Sequence, residues 1–374
     1  MTPQLQEQLT QLGTWMPFAP AAALLARFTG VRVSEATARR LTEVVGRALE
    51  AAWQMDVEQL VEDLPPVPPG PARAVVSVDG AMVPLRGGEW GEVKTLVVGE
   101  VPPGDAGGAD ALATEGPDIR TTALSYCSRL ADVEHFNAAV LVELHRRGVE
   151  SAGEVAAVSD GAEWIQGFLD LHCPQAVRIL DFAHAAERVA LIGQALAPTE
   201  SDWLSQQLHR LKHTGPEPLF AEWQASLATQ PQAPSDVAEA LAYLGKRRAQ
   251  LQYPTFQAQG WPIGSGIVES GNKLVVEARL KGAGMHWARA NVNPLLLLRN
   301  AVCNQRWEEA WARGCASLRR HPRPRCPPCP SPPPMVPAPL SAPLPLPALT
   351  AAAAPVPPKS HPWRTYGRKL SPKF

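Results

Sequence analysis

The chain has 374 residues, of which 45% are hydrophobic, and its formal net charge is −1 at pH 7. This length is sufficient for two or three domains with sizeable cores. The balanced charge excludes a globally basic protein, so DNA contact would depend on local clusters of Lys and Arg. The sequence has no apolar run of about 18 residues and no basic-then-apolar leader, which predicts a cytoplasmic protein without membrane contact.

The N-terminal segment is predicted to be helical and to contain a helix-turn-helix. An apolar helix over Ala21–Phe28 is followed by a turn at Gly30, and Ser34 is a favourable N-cap for the next helix. Arg39 and Arg40 lie in this second helix, which in such a motif contacts DNA. An ordinary helical hairpin has the same pattern, so both interpretations stay open.

Beyond a Pro-rich stretch, short β-branched runs alternate with segments of helical periodicity. Three strands come first, and helices and strands then alternate. This order predicts an α/β protein with a mixed sheet of the ribonuclease H-like type. The predicted strands are 74–78, 94–101, 121–128, 154–159 and 176–180, and the predicted helices among them are 132–147 and 162–172.

The rest of the chain is predicted to contain an all-α insertion, a returning helix and a Pro-rich tail. The returning helix covers 265–281, and the tail contains Lys and Arg but no Asp or Glu, which favours disorder. The predicted domain organisation is a helical, helix-turn-helix-like region (1–63), a Pro-rich linker (64–72), the first part of a catalytic core (73–198), a helical insertion (199–258), the second part of the core (259–315) and a basic, Pro-rich tail (316–374).

Three carboxylates occupy positions suited to a metal site. Asp79 and Asp160 each follow a predicted strand, and Glu269 lies in the returning helix. An Asp before Gly is often only a turn former, and a Glu on a helix is usually solvated. The three together, in this order, favour a site for two Mg²⁺ ions, with Mn²⁺ as the alternative metal. Such an ion pair can clamp both oxygens of an in-line displacement at phosphorus.

Basic and aromatic residues follow Glu269. Lys273 shares its helix face, and Arg279 and Lys281 lie at the far end of the same helix. We predict that these three cations contact the DNA backbone, with solvated helix charges as the alternative. Trp287 is a candidate for stacking on an extruded base, although core packing is the commoner role of Trp.

Asp181 and His184 form a second small motif at a predicted strand-to-helix junction. Residues three positions apart at a helix start can form a hydrogen bond, which would orient the imidazole near the carboxylates. Structural capping of the helix is the alternative interpretation.

Four segments resemble bacterial insertion-sequence transposases of the Kra type, which are distant relatives of Mutator-like transposases. The resemblance covers roughly residues 15–312, and the Pro-rich tail is not part of it. The matching segments are SVDG (77–80), VSDGAEWI (158–165), LDFAHAAERV (180–189) and GWPIGSGIVESGNKLVVEARLKGAGMHW (260–287).

The resemblance implies a DDE transposase whose catalytic, metal-binding residues are Asp79, Asp160 and Glu269, with Asp181 and His184 in a supporting motif. Such an enzyme would recognise terminal inverted repeats, cut the DNA and join the 3′-hydroxyl ends to target DNA. Because two ends must be held together, a homo-oligomer associated with the nucleoid is expected. The alternatives are a catalytically inactive DNA-binding remnant that represses transposition, and a ribonuclease H-like nuclease for branched DNA or hybrids.

Overall fold

The centre of the protein is a five-stranded mixed sheet with the strand order β3-β2-β1-β4-β5. Strands β1, β2 and β3 are antiparallel neighbours, whereas β4 and β5 run parallel to β1. The strands are β1 (Arg73–Pro84), β2 (Trp90–Glu100), β3 (Thr122–Leu130), β4 (Glu154–Ser159) and β5 (Val177–Leu180). The predicted mixed α/β class is confirmed, and the strands follow one another along the chain in the predicted order.

Most of the described residues outside the sheet are helical. They are α1 (Pro3–Trp15), α2 (Phe18–Thr29), α3 (Glu35–Asp63), α4 (Val133–Arg146), α5 (Glu163–His172), α6 (Phe182–Leu196), α7 (Trp203–His213), α8 (Pro216–Ala228), α9 (Ser235–Lys246), α10 (Tyr253–Ala258), α11 (Gly266–Gly271), α12 (Ala278–Leu280), α13 (Arg289–Cys303) and α14 (Trp307–Arg320). A π-helical segment, Asn272–Glu277, joins α11 to α12. The sequence predicted one regular helix over 265–281, but the winding of this segment changes from α to π in the middle.

Strand β1 is longer than its β-branched run predicts. It continues through Asp79, which pairs with Thr95, and reaches Pro84. The prediction that Asp79 ends its strand is wrong, because pairing with the long β2 extends β1 beyond the point where β4 stops. Asp79 consequently projects from the middle of a strand, where both neighbouring residues are fixed by the sheet.

The two faces of the sheet are covered by different helices. Val76 and Val78 pack on one face against Phe136 of α4 and Phe168 of α5. Val75 lies on the opposite face, in a second cluster formed with β4, β5 and helices α6 to α10. Because successive residues of a strand point to opposite faces, Ser77 and Asp79 share the side of Val75. The all-α insertion and the α11 segment therefore cover the face that contains Asp79.

The N-terminal helices pack on the C-terminal helices of the same unit. Ser34 caps α3 by accepting a hydrogen bond from the Thr37 amide (3.2 Å), and Gly30 adopts φ = 74° in the turn before it, both as predicted. Helix α3 then continues to Asp63 and contacts α13 and α14 through Val45 and Leu49. The Pro-rich stretch thus connects parts of one packed unit.

The computed structural model describes residues 1–63, 65–102, 119–197, 202–228 and 234–320. The segment 103–118 and the Pro-rich tail from 321 onward lie outside these residues. Among the helices in the described ranges, none has both the length and the apolar composition needed to cross a membrane.

Candidate active site

Asp79 and Asp160 lie at the same level of neighbouring parallel strands. In the β1–β4 ladder Val76 pairs with Ala157, and each Asp follows its paired residue by three positions. Asp160 comes directly after the end of β4 and two positions after Val158, so the alternation of the strand points it to the same face as Val158. Val158 packs in the same cluster as Val75. The sheet therefore brings both carboxylates to one side and one height.

The carboxylate of Asp79 is held by two hydrogen bonds. Its Oδ1 accepts from the Gly80 amide at 2.7 Å, and its Oδ2 accepts from the Asn272 side-chain amide at 2.9 Å. Burial raises the pKa of Asp79 above its usual value against the effect of the Gly80 N–H, and the negative charge of Asp160 raises it further. A positive charge between the two carboxylates would relieve this repulsion.

The Asp160 segment is fixed by the helical insertion. Its carboxylate accepts a hydrogen bond from the Ala162 amide (2.8 Å), while the hydroxyl of Tyr243 in α9 donates to its backbone carbonyl. Arg247 donates to the carbonyl of Gly161 through Nε at 2.9 Å and is itself only 5% exposed. The insertion thus determines where the Asp160 carboxylate points.

Glu269 lies on the first turn of the segment that begins with α11. Its side chain is exposed, and the Ser265 hydroxyl donates to it over a long 3.5 Å. Asn272, one turn later, is buried and bonds Asp79, which ties the Glu269 helix to β1. Gly271 permits this approach, since a Cβ there would lie 2.9 Å from Val97. The π-helical winding begins at Asn272, and such segments are common at functional sites.

Asp181 joins the His184 side chain to the start of α11. Its Oδ2 accepts from the His184 amide (2.9 Å) and bonds the His184 Nδ1 (2.8 Å), while its Oδ1 accepts from the Ser265 amide (2.6 Å). Burial acts to raise the pKa of Asp181, but these hydrogen bonds outweigh it and hold the pKa below its usual value. The predicted Asp181–His184 hydrogen bond is present, and it also caps α6.

The Asp181–His184 pair predicts a pH dependence of folding stability. The hydrogen bond that His184 Nδ1 donates to Asp181 raises the pKa of His184 against the effect of burial. The contribution of protonated His184 to folding stability is therefore complete below the ordinary pKa of 6.5 and is lost as the pH rises through the folded-state pKa. The pKa of Asp181 is lowered from its ordinary value of 3.8, so the contribution of the Asp181 carboxylate to stability is complete above pH 3.8 and is lost only at more acidic pH. Urea unfolding should therefore show a larger deficit for His184→Gln at pH 5 than at pH 8. An equal deficit at both would contradict this coupling.

The donors at this site fit a hydrated divalent cation. Asp79 and Asp160 offer hard carboxylate oxygens, and the buried Oδ1 of Asn272 has no hydrogen-bond partner. An unpaired buried oxygen costs about 1–3 kcal/mol and calls for a water or an ion. Within the described ranges, no three His, Cys, Asp or Glu side chains stand close enough together to hold a metal. The exposed Glu269 side chain would have to move to join Asp79 and Asp160 at one ion. Binding of a second ion stays a prediction.

The predicted DNA-contacting cations differ in their surroundings. Arg39, Arg40 and Lys273 are exposed, as phosphate contacts require. Lys281 is exposed but forms an ion pair with Glu277 at 2.6 Å. These four residues stay candidates, and Lys273 is the one beside the carboxylates, because it lies four positions after Glu269.

The prediction that Arg279 contacts DNA is wrong, because this side chain is buried. It is 1% exposed and donates through Nε and Nη2 to the Gly13 carbonyl, both at 3.0 Å. Burial lowers the pKa of this guanidinium to about 10, and the nearby charge of Arg299 acts in the same direction. The sequence could not show this, because the partner is a backbone carbonyl far away in the chain.

Replacing Arg279 by Gln should therefore reduce stability and not DNA binding. The unpaired Gly13 carbonyl should lower the free energy of unfolding by roughly 1–3 kcal/mol, measured by urea denaturation. The salt dependence of DNA binding should stay unchanged, whereas Lys273→Gln should reduce its slope by about one without loss of stability. A reduced slope with full stability in Arg279→Gln would restore the original prediction.

Trp287 packs inside the protein more than it faces a ligand. Its Nε1 donates to the Leu280 carbonyl (3.0 Å), Phe18 contacts it edge-on at 6.4 Å, and the Arg279 guanidinium lies 5.1 Å from its ring centroid. With these neighbours, the core-packing interpretation fits better than stacking on an extruded base.

Sequence reasoning missed three residues that position the carboxylates. Asn272, Tyr243 and Arg247 contact Asp79 or the Asp160–Gly161 segment from distant parts of the chain. The only local signal was the pair Gly271-Asn272 inside a predicted helix. Both residues have low helix propensity, which indicates that a packing contact requires them there. Tyr243 and Arg247 lie four positions apart on an unremarkable amphipathic stretch, which gives no such signal.

Comparison with known proteins adds no further constraint on this site. No protein-family model matches the chain. No curated protein is significantly similar to it. Its function is therefore inferred from the placement of Asp79, Asp160, Asn272 and the Glu269 helix.

Proposed function

We propose that this protein is a DDE transposase on a ribonuclease H-like fold. The sheet order β3-β2-β1-β4-β5, with three antiparallel strands followed by two parallel ones, supports the fold assignment. The helical insertion between β5 and α11 is compatible with the transposase resemblance of the sequence. The substrate would be DNA carrying the terminal inverted repeats of an element, and the product would be those ends joined to target DNA.

The proposal depends most on one observation. The β1–β4 register places Asp79 and Asp160 at one level and on one face, and the Asn272–Asp79 hydrogen bond brings the Glu269 helix to the same place. Two acidic residues from distant parts of the chain thus lie near a buried amide oxygen that has no partner, and the exposed Glu269 lies three positions before that amide on the same helical segment. Structural roles alone do not require this combination of like charges.

The residues present suit a phosphoryl transfer. Bound Mg²⁺ or Mn²⁺ would neutralise charge on the phosphate and favour a deprotonated oxygen nucleophile. Asp79 and Asp160 would bind it from the sheet, and Glu269 would do so from its helix. Asp181 keeps the start of that helix in place and orients His184, whose second ring nitrogen is left to contact the DNA or a water molecule.

DNA binding and assembly belong to the same proposal. The N-terminal helices, with exposed Arg39 and Arg40 on α3, would contact the element ends. A homo-oligomer would hold two ends together during strand transfer. The protein would work at the nucleoid, where its DNA substrate lies.

A catalytically inactive DNA-binding remnant is the second candidate function. It is favoured by the exposed position of Glu269, whose side-chain carboxylate accepts, among the described residues, one hydrogen bond, from the Ser265 hydroxyl over 3.5 Å. A protein of this kind would keep its fold and bind the repeats, and it could repress an intact copy of the element.

A plasmid assay separates these functions. A supercoiled plasmid carrying the DNA that flanks the gene is incubated with the full chain in Mg²⁺, and nicks are mapped at nucleotide level. Cleavage at the ends of inverted repeats supports the transposase. Binding without nicking supports the inactive remnant, and cleavage of an RNA–DNA hybrid lacking those ends supports a ribonuclease H-like nuclease.

A further inference from the structure

Carboxylates repel phosphates, so a DNA strand at this site needs cations beside them. Several nearby cationic side chains already form hydrogen bonds or ion pairs within the protein. Arg247 and Arg279 are buried against backbone carbonyls, and Lys281 is held in an ion pair. Around the candidate site, Lys273 and Arg188 are exposed and form no ion pair among the described residues. Lys273 was predicted from the sequence, whereas Arg188 was not.

Arg188 stands beside the Asp160 segment. Its guanidinium carbon lies 4.8 Å from the centroid of the Tyr243 ring, and the hydroxyl of that Tyr donates to the Asp160 carbonyl. The buried Arg247 contacts the same ring at 3.9 Å. Tyr243 therefore connects an internal cation, which fixes the segment, with an external one that is open to solvent.

This contact prepares Arg188 for an anionic ligand. A cation–π contact with Tyr243 restricts the long side chain, which reduces the entropy lost on binding. A planar guanidinium also matches the two oxygens of a phosphodiester better than an ammonium does. Because Arg188 has no carboxylate partner in the described chain, no ion pair must break first.

His184 lies one turn before Arg188 on the same face of α6. Its Nδ1 is bonded to Asp181, so Nε2 is the nitrogen left for a ligand. The side chain is 41% exposed, in contrast to 3% for the Asp181 that orients it. A fixed imidazole and a restrained guanidinium thus follow each other along one helix, next to Asp160.

We propose that Arg188 and His184 bind a backbone phosphodiester of the DNA on the Asp160 side of the site, while Lys273 contacts the strand from the Glu269 helix. This inference rests on the proposed function, because it takes DNA as the ligand. It assigns a phosphate-binding role to Arg188, a residue of α6 that the sequence did not single out.

The test measures binding and not cleavage. Affinity for a labelled duplex with the flanking repeat sequence is measured by fluorescence anisotropy at several salt concentrations, in Ca²⁺. For Arg188→Gln we expect the salt slope to fall by about one and the affinity to fall about three- to tenfold. Arg188→Lys keeps the charge, so it should keep the slope while losing part of the affinity.

Arg210→Gln is the matched control, because Arg210 is a partly exposed Arg on α7 that is already paired with Glu222. It should leave the slope unchanged. Thermal melting checks that every variant is folded. An unchanged slope in folded Arg188→Gln, with wild-type protein that binds DNA, would overturn this inference alone. Failure of the wild-type protein to bind any DNA would overturn it together with the proposed function.

Discussion

Asp160→Asn and Glu269→Gln should each abolish strand cleavage while leaving the fold and DNA binding intact. Losing one carboxylate ligand removes electrostatic stabilisation worth several kcal/mol from the transition state, so we expect a rate loss of about a thousandfold or more. Neither change alters side-chain volume greatly. The measurement is the rate of nicking of the repeat-bearing plasmid in Mg²⁺, together with duplex affinity in Ca²⁺.

Two exposed acids provide matched controls for these variants. Asp170→Asn on α5 and Glu222→Gln on α8 each remove a surface charge that pairs with a neighbouring Arg. Both should retain wild-type cleavage, because exposed ion pairs contribute little to stability. If Asp160→Asn cleaves DNA as fast as Asp170→Asn does, Asp160 is not a metal ligand and the proposed function fails.

Gly161→Ala should destabilise the protein strongly and displace Asp160. Gly161 adopts φ = +77°, and an added Cβ would lie 2.6 Å from the Tyr243 hydroxyl and 2.7 Å from the Arg247 Nε. The left-handed conformation costs about 1–2 kcal/mol for a residue with a Cβ, and overpacking adds about 1–3 kcal/mol. We therefore expect a loss of about 2–5 kcal/mol in urea unfolding, together with slower cleavage by the folded fraction.

Gly167→Ala tests whether that loss is specific to the position. Gly167 lies inside α5, and a Cβ there would meet nothing within 4 Å. Alanine has a better helix propensity, so this variant should gain about 0.5–1 kcal/mol. A loss at Gly161 no larger than the change at Gly167 would show that Tyr243 and Arg247 do not clamp this segment.

Local patterns were enough to predict most elements of the sheet and its helices. The β4 strand occurs as predicted at Glu154–Ser159. Gly153 and Asp160 flank its short apolar run, and these turn-forming residues fix where the strand begins and ends. The end of β1 was misplaced, since its last residues pair with a partner strand that the local pattern does not show. The π-helical turn at Asn272 was also missed, because periodicity over a few residues cannot resolve a change of winding.

The sequence by itself determined the mixed α/β class, the order of the elements and the acidic residues around which a site could be sought. Those properties follow from side-chain period and local turn chemistry, which act between near neighbours. Only the tertiary structure decided that Arg279 is internal, that Asn272 meets Asp79 and that Arg188 contacts Tyr243, whose hydroxyl bonds the Asp160 carbonyl. Such contacts depend on how distant segments of the chain pack. An Arg side chain can therefore be buried and bonded to backbone carbonyls at one position and be exposed to solvent at another.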